Sequence, residues 1–98
     1  MTEFMNIKNV YTPERKLGEI EMLRAIKLAI ASEYEAIQIY QQIMESTDNV
    51  NIKRVLAEIM TDEKHHVGGL NKLLEILSPT DAQEYAYGAQ ETLDNISE

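Results

Sequence analysis

Two glutamates and one histidine in this 98-residue chain are spaced as cation ligands would be. Glu63 and His66 lie three residues apart in EIMTDEKHHVGGL, which carries both histidines, and Glu33 lies upstream in SEYEAIQIY. On a helix, residues three apart share a face, so Glu-x-x-His offers one carboxylate and one imidazole to the same point in space. Oxygen and nitrogen donors of this kind accept iron, manganese or zinc. A carboxylate left uncompensated in an apolar seam costs several kcal/mol, which a small domain tolerates poorly. If the three residues face a seam, a divalent cation is the natural way to neutralise them.

Two long helices are needed to place them. Thr12 followed by Pro13 reads as an N-cap with proline at the first helical position, so helix 1 is expected over about 13–46. Ser46-Thr47-Asp48-Asn49 is a turn, helix 2 follows over about 50–77, and Ser78-Pro79 stops it. Thr80 and Gln83 have capping-box spacing for a shorter helix over about 80–96, weakly apolar through Ala82, Tyr85, Ala86, Ala89, Leu93 and Ile96. Residues 1–11 show no periodicity and read as a flexible segment ahead of one helical domain, 12–98. No strand pattern or solenoid repeat interrupts this all-α reading.

Apolar residues at 3-4 spacing give one stripe per long helix: Leu23, Ile26, Ile30, Glu33, Ile37, Tyr40, Met44, and Ile52, Leu56, Ile59, Glu63, His66, Leu70, Leu73, Leu77. No Lys or Arg falls on either stripe. Positions 33 and 63 are equidistant from residue 48 in the turn, so an antiparallel hairpin brings Glu33 beside Glu63, about 20 Å from the turn at 1.5 Å per residue. Glu with Glu-x-x-His is half the ligand set of a carboxylate-bridged two-metal site in a four-helix bundle. A second hairpin related by a two-fold axis supplies the other half. Four carboxylates then balance two divalent cations.

Composition agrees with a metal-binding helical protein. Nine Lys and Arg against seventeen Asp and Glu leave a net charge of −8, which repels nucleic acid and anionic membranes and attracts cations. With no cysteine in the chain, disulfides, thiolate sites and thiol nucleophiles are excluded. A chain of this length buries only roughly 60–70 % of its unfolded surface alone, so partners are expected to stabilise it. The amino end lacks a secretory signal's apolar core and no apolar run approaches the ~20 residues that span a bilayer, so the expected location is the cytoplasm.

From Tyr11 to about Leu77, and most of all in SEYEAIQIY and DEKHHVG, the sequence resembles the encapsulated ferritins, ferritin-like cargo of encapsulin nanocompartments. The resemblance implies a short two-helix protomer with a small third helix, a ferroxidase centre with two irons shared across a dimer, and an annular decamer of five dimers within an encapsulin shell. It assigns Glu33, Glu63 and His66 as metal ligands and Tyr40 as the tyrosine near the centre. Ile39 stands where some members have tryptophan. Ser32 stands where some have a carboxylate that guides metal inward, leaving Glu35 for that task. The end AQETLDNISE does not resemble the segment that docks such cargo to a shell.

The resulting expectation is a ferroxidase that oxidises Fe(II) to Fe(III) and feeds an encapsulin compartment for iron storage. Iron rests on the resemblance, since the donor set by itself also suits zinc and manganese. Two rivals are a di-iron peroxidase of the rubrerythrin type and a non-enzymatic helical dimerisation module whose polar layer fixes register. His65 points off the stripe and is expected to face solvent, with a secondary use as a metal contact where ions come in. Gly68 and Gly69 each cost about 1 kcal/mol against Ala in a helix, a cost offset where another backbone approaches closely.

Overall fold

The computed structural model describes residues 15–97 and consists of three helices: α1 (Glu19–Glu45), α2 (Val50–Leu77) and α3 (Pro79–Ser97). α1 and α2 form the hairpin, and α3 packs on α2 alone. The principal extents of 52 × 46 × 20 Å describe a flat molecule in which α3 stands out from the hairpin instead of folding along it.

Local chemistry sets each boundary. α1 begins at Glu19 and not near Pro13, a correction to the reading above; Thr12 and Pro13 themselves lie outside the described residues. Gly18 is the N-cap in extended conformation, and its N–H donates to the Glu21 carboxylate at 3.1 Å, the backward half of a capping box. Arg15 grips the same carboxylate with both guanidinium nitrogens, at 2.9 and 2.8 Å, so four residues ahead of the helix are tied to its first turn. This hydrogen bond to Arg15, followed by the one from Gly18, holds the Glu21 carboxyl down at about 2.

Between α1 and α2 the turn is built from its own side chains. Ser46 closes α1 through its N–H to the Ile43 carbonyl at 3.0 Å and its hydroxyl to the Gln42 carbonyl at 2.7 Å. Asn49 opens α2 as N-cap, its Oδ1 accepting from Asn51 and Ile52 at 3.0 and 3.1 Å, a cap worth about 1 kcal/mol. At the other end of α2, Ser78 donates its N–H to the Leu74 carbonyl and accepts from Ala82 N–H, so one residue closes α2 and opens α3. Pro79 is then the first residue of α3, and the box expected from Thr80 and Gln83 is not made: a proline at the first helical position needs no hydrogen-bond partner, and the helix starts one residue early.

The hairpin buries little. Met60 and Val67 are the buried apolar residues among those described, at 8 and 9 % exposure. Neither belongs to the stripe read from the sequence. Along α2 the line Leu56, Met60, Glu63, Val67, Leu70, Leu74 turns toward α1 and is buried or half-buried, while Ile52, His66, Leu73 and Leu77 of the expected stripe are exposed. The apolar arc of α2 is wider than one neighbour can cover. α1 takes one edge of it, and the other edge, which carries His66, is open.

Candidate metal centre

α1 contributes Glu33 and α2 contributes Glu63 and His66, and the helix register brings one ligand atom from each to within 4.8 Å of the others. His66 Nδ1 lies 3.5 Å from Glu33 Oε2 and 3.8 Å from Glu63 Oε2. The carboxylates are mostly withdrawn from solvent, at 24 and 18 % side-chain exposure, whereas His66 stands at 58 % on the open edge. Among the described residues no Lys or Arg pairs with either carboxylate.

Glu33 Oε2 is a buried oxygen without a hydrogen-bond partner, and the one such side-chain atom among the described residues. Buried acceptors are almost always satisfied, and leaving one bare costs about 1–3 kcal/mol. An acceptor-only oxygen facing a second carboxylate and an imidazole nitrogen is a mismatch for a hydrogen-bonded core and a match for a cation. The donor set therefore fits a divalent metal: two carboxylates supply charge, and a neutral imidazole supplies a nitrogen on the same side.

Other residues singled out from the sequence are placed elsewhere. Tyr40 is half-buried on α1, two turns beyond Glu33, and its hydroxyl makes no hydrogen bond among the described residues. Glu35, two positions from Glu33, is turned about 200° round the helix from it at 100° per residue, and His65 is exposed. Neither joins the cluster, and the described residues hold no second group of three metal-ligating side chains. At Gly68 and Gly69 an added Cβ would meet nothing within 4 Å, so the close backbone approach expected there is not made within this chain.

A strandless hairpin with two facing carboxylates and a histidine at the same level defines a ferritin-like helical protein. The chain belongs to the rubrerythrin family, whose model matches residues 24–95. It is 32 % identical over 71 residues to a ferritin-like-encapsulin shell fusion protein of Pyrococcus furiosus, a match spanning 72 % of this chain and 21 % of that one. It is 34 % identical over 68 residues to the encapsulin nanocompartment cargo protein EncC of Myxococcus xanthus, spanning 69 % of this chain and 52 % of that one. This chain thus corresponds to part of either relative. The crystal structure of the encapsulated ferritin domain from Pyrococcus furiosus is similar throughout, with a TM-score of 0.80, 27 % identity and 88 % of both chains covered. The resemblance to encapsulin-associated ferritin-like proteins and the all-α fold read from the sequence both stand. No described helix is long and apolar enough to cross a membrane.

Proposed function

We propose that the protein is a ferroxidase, oxidising Fe(II) to Fe(III) at a two-metal centre that a second copy of the chain completes. The observation that supports this most is Glu33: its unpartnered buried oxygen is clustered with Glu63 and with His66, which stands on the open edge. One chain supplies three protein ligands, too few to enclose two ions, and a two-fold copy laid on the His66 edge doubles the set to four carboxylates and two imidazoles.

In this reading two Fe(II) ions are the substrate and each gives up one electron. Dioxygen accepts the pair with two protons and leaves as hydrogen peroxide; peroxide as oxidant accepts the pair with two protons and leaves as two waters. Glu33 and Glu63 hold the ions and offset their charge, which favours the trivalent product. His66 Nδ1 supplies a neutral donor and keeps each ion on its own side. Tyr40 is assigned to the surroundings of the centre, and Glu35 with His65 to collecting Fe(II) from solvent. The relatives' association with encapsulin further supports a shell partner and a place inside a nanocompartment in the cytoplasm, while assembly of the dimers as an annular decamer rests on the resemblance read from the sequence.

Anaerobic Fe(II) titration followed by calorimetry and native mass spectrometry tests the shared centre. The expected saturation is about one iron per chain, with dimers or larger assemblies favoured by metal. A monomer that binds two irons refutes sharing. The family match keeps one other oxidoreductase reading in view, a rubrerythrin-type peroxidase. It predicts peroxide consumption far faster than oxygen consumption at equal Fe(II), and the ferroxidase reading predicts sustained turnover with oxygen.

A further inference from the structure

Among the described residues the hairpin buries two, and both are neighbours of one candidate ligand. Met60 and Val67, at 8 and 9 % exposure, lie three residues before and four after Glu63. At 100° per residue all three share one face of α2. The tightest packing of the hairpin is therefore the stretch that holds Glu63 level with Glu33, and Met60 stands about 4.5 Å along the helix axis from Glu63. Its surroundings are hydrocarbon: Leu56 precedes it by one turn on α2, and Ala36 and Ile37 are level with it on α1.

Exposure and proximity rank the methionines in opposite ways. The described residues include Met22, Met44 and Met60. Met22 is 41 % exposed, Met44 is half-buried and Met60 is buried. Met22 and Met44 each lie eleven residues from Glu33, about 16 Å along α1, whereas Met60 lies within one turn of Glu63. A thioether oxidised by a reagent from solvent follows the exposure ranking. One oxidised by a reagent present at the Glu33–Glu63–His66 cluster follows the proximity ranking. Peroxide is such a reagent, as the product when dioxygen accepts the electrons or as the oxidant itself.

We propose that Met60 is the site at which the centre oxidises its own scaffold and so limits its own turnover. The Sδ lone pair takes one oxygen atom of peroxide as the O–O bond breaks. The other oxygen leaves as water with both protons, and sulfur loses the two electrons that peroxide gains. The product, methionine sulfoxide, is polar where the thioether was apolar. Its oxygen needs a donor, the side chains of Leu56, Ala36 and Ile37 offer none, and a buried acceptor without a partner is destabilising. α1 and α2 then loosen at the level where Glu33 and Glu63 must meet. The centre shuts down when peroxide is not drained, and reduction of the sulfoxide restores it. Leucine at this position would pack comparably but could not switch. The source of the peroxide rests on the ferroxidase reading.

Successive stoichiometric additions of Fe(II) to the full chain in air test this, with catalase in solution to remove peroxide that escapes. Absorbance reads Fe(III) after each addition, and peptide mass spectrometry reads oxygen gain at each methionine. Met60 should gain oxygen roughly tenfold faster than Met22, and the rate of iron oxidation should fall in step with the fraction of Met60 converted. Methionine sulfoxide reductase with its thiol reductant should return that rate. Reagent hydrogen peroxide on the metal-free protein, and on protein loaded with redox-inert Zn(II), should convert Met22 first. Met60→Leu, its helices checked by circular dichroism, should hold its own initial rate through additions over which the parent loses about half. Met22 converted as fast as Met60 under iron overturns the proposal. So does Met60 converted first under Zn(II), which would mean that metal binding merely uncovers the side chain, and so does an equal loss of rate in Met60→Leu and the parent. Fe(III) formed with Met60 untouched refutes self-oxidation and leaves the ferroxidase reading standing, whereas no Fe(III) at the first addition refutes both.

Discussion

Replacing Glu33 with leucine should make the metal-free protein more stable and the metal-loaded protein less so. In the absence of metal, Glu33 Oε2 is buried and unpartnered, and such an atom costs about 1–3 kcal/mol. The side chain retains 24 % exposure, so the low end applies and the gain from Glu33→Leu is about 1 kcal/mol. For a domain of this size that raises Tm by about 4–8 °C. Metal reverses the order. At a free concentration one hundred times Kd a ligand adds about 2.7 kcal/mol to the native state, and Glu33→Leu forfeits most of it. Thermal unfolding by circular dichroism, anaerobically at pH 8 with and without Fe(II), and again with redox-inert Zn(II), reads both effects. If Glu33→Leu melts lower than the parent without metal, the carboxylate stabilises the bare fold and its placement for a cation is refuted.

His66→Ala and Glu63→Ala should each abolish rapid Fe(II) oxidation, followed by absorbance, while His65→Ala retains most of it; equal losses from the two histidines would contradict the geometry of the cluster. The Arg15–Glu21–Gly18 tie should be pH-dependent. With its folded value lowered from 4.5 to about 2, the Glu21 carboxyl adds stability that is fully present above about pH 4.5 and is lost as pH falls through about 2, so hydrogen-exchange protection at the start of α1, taken relative to the intrinsic rate at each pH, should fall over that window and Glu21→Gln should remove the dependence. Excess Fe(II) given to the isolated protein should be oxidised quickly yet yield Fe(III) that precipitates, because a two-helix protomer that uses one face to complete a bundle has little surface left to enclose a cavity. Thousands of soluble irons co-eluting with the protein on size fractionation would show that it stores mineral without a compartment.

Much of the hairpin is local and so could be read from the chain. Asn49 caps α2 through its own side chain, Pro79 can only end one helix or begin another, and the spacing of 33 and 63 about the turn sets two glutamates level before any contact is known. Glu-x-x-His shares a face by helix geometry alone. What no local rule supplies is how far each helix turns about its own axis. The apolar arc of α2 is broad enough for several rotations, and packing against α1 selected the one that buries Met60 and Val67 and leaves His66 at the open edge. The start of α1 at Glu19 likewise goes with a contact that helical spacing does not supply, Arg15 reaching past three unwound residues to Glu21 in the first turn. The direction of α3 is decided the same way: Ser78 serves two helices at once, and the packing of α3 on α2 sends Leu93 and Ile96 away from the hairpin. Sequence determined which residues could be ligands and at what level they meet, because period and turn are short-range properties. Tertiary structure decided which candidate ligand atoms converge, which oxygen is stranded and which apolar faces stay exposed, because those follow from the mutual fit of whole helices.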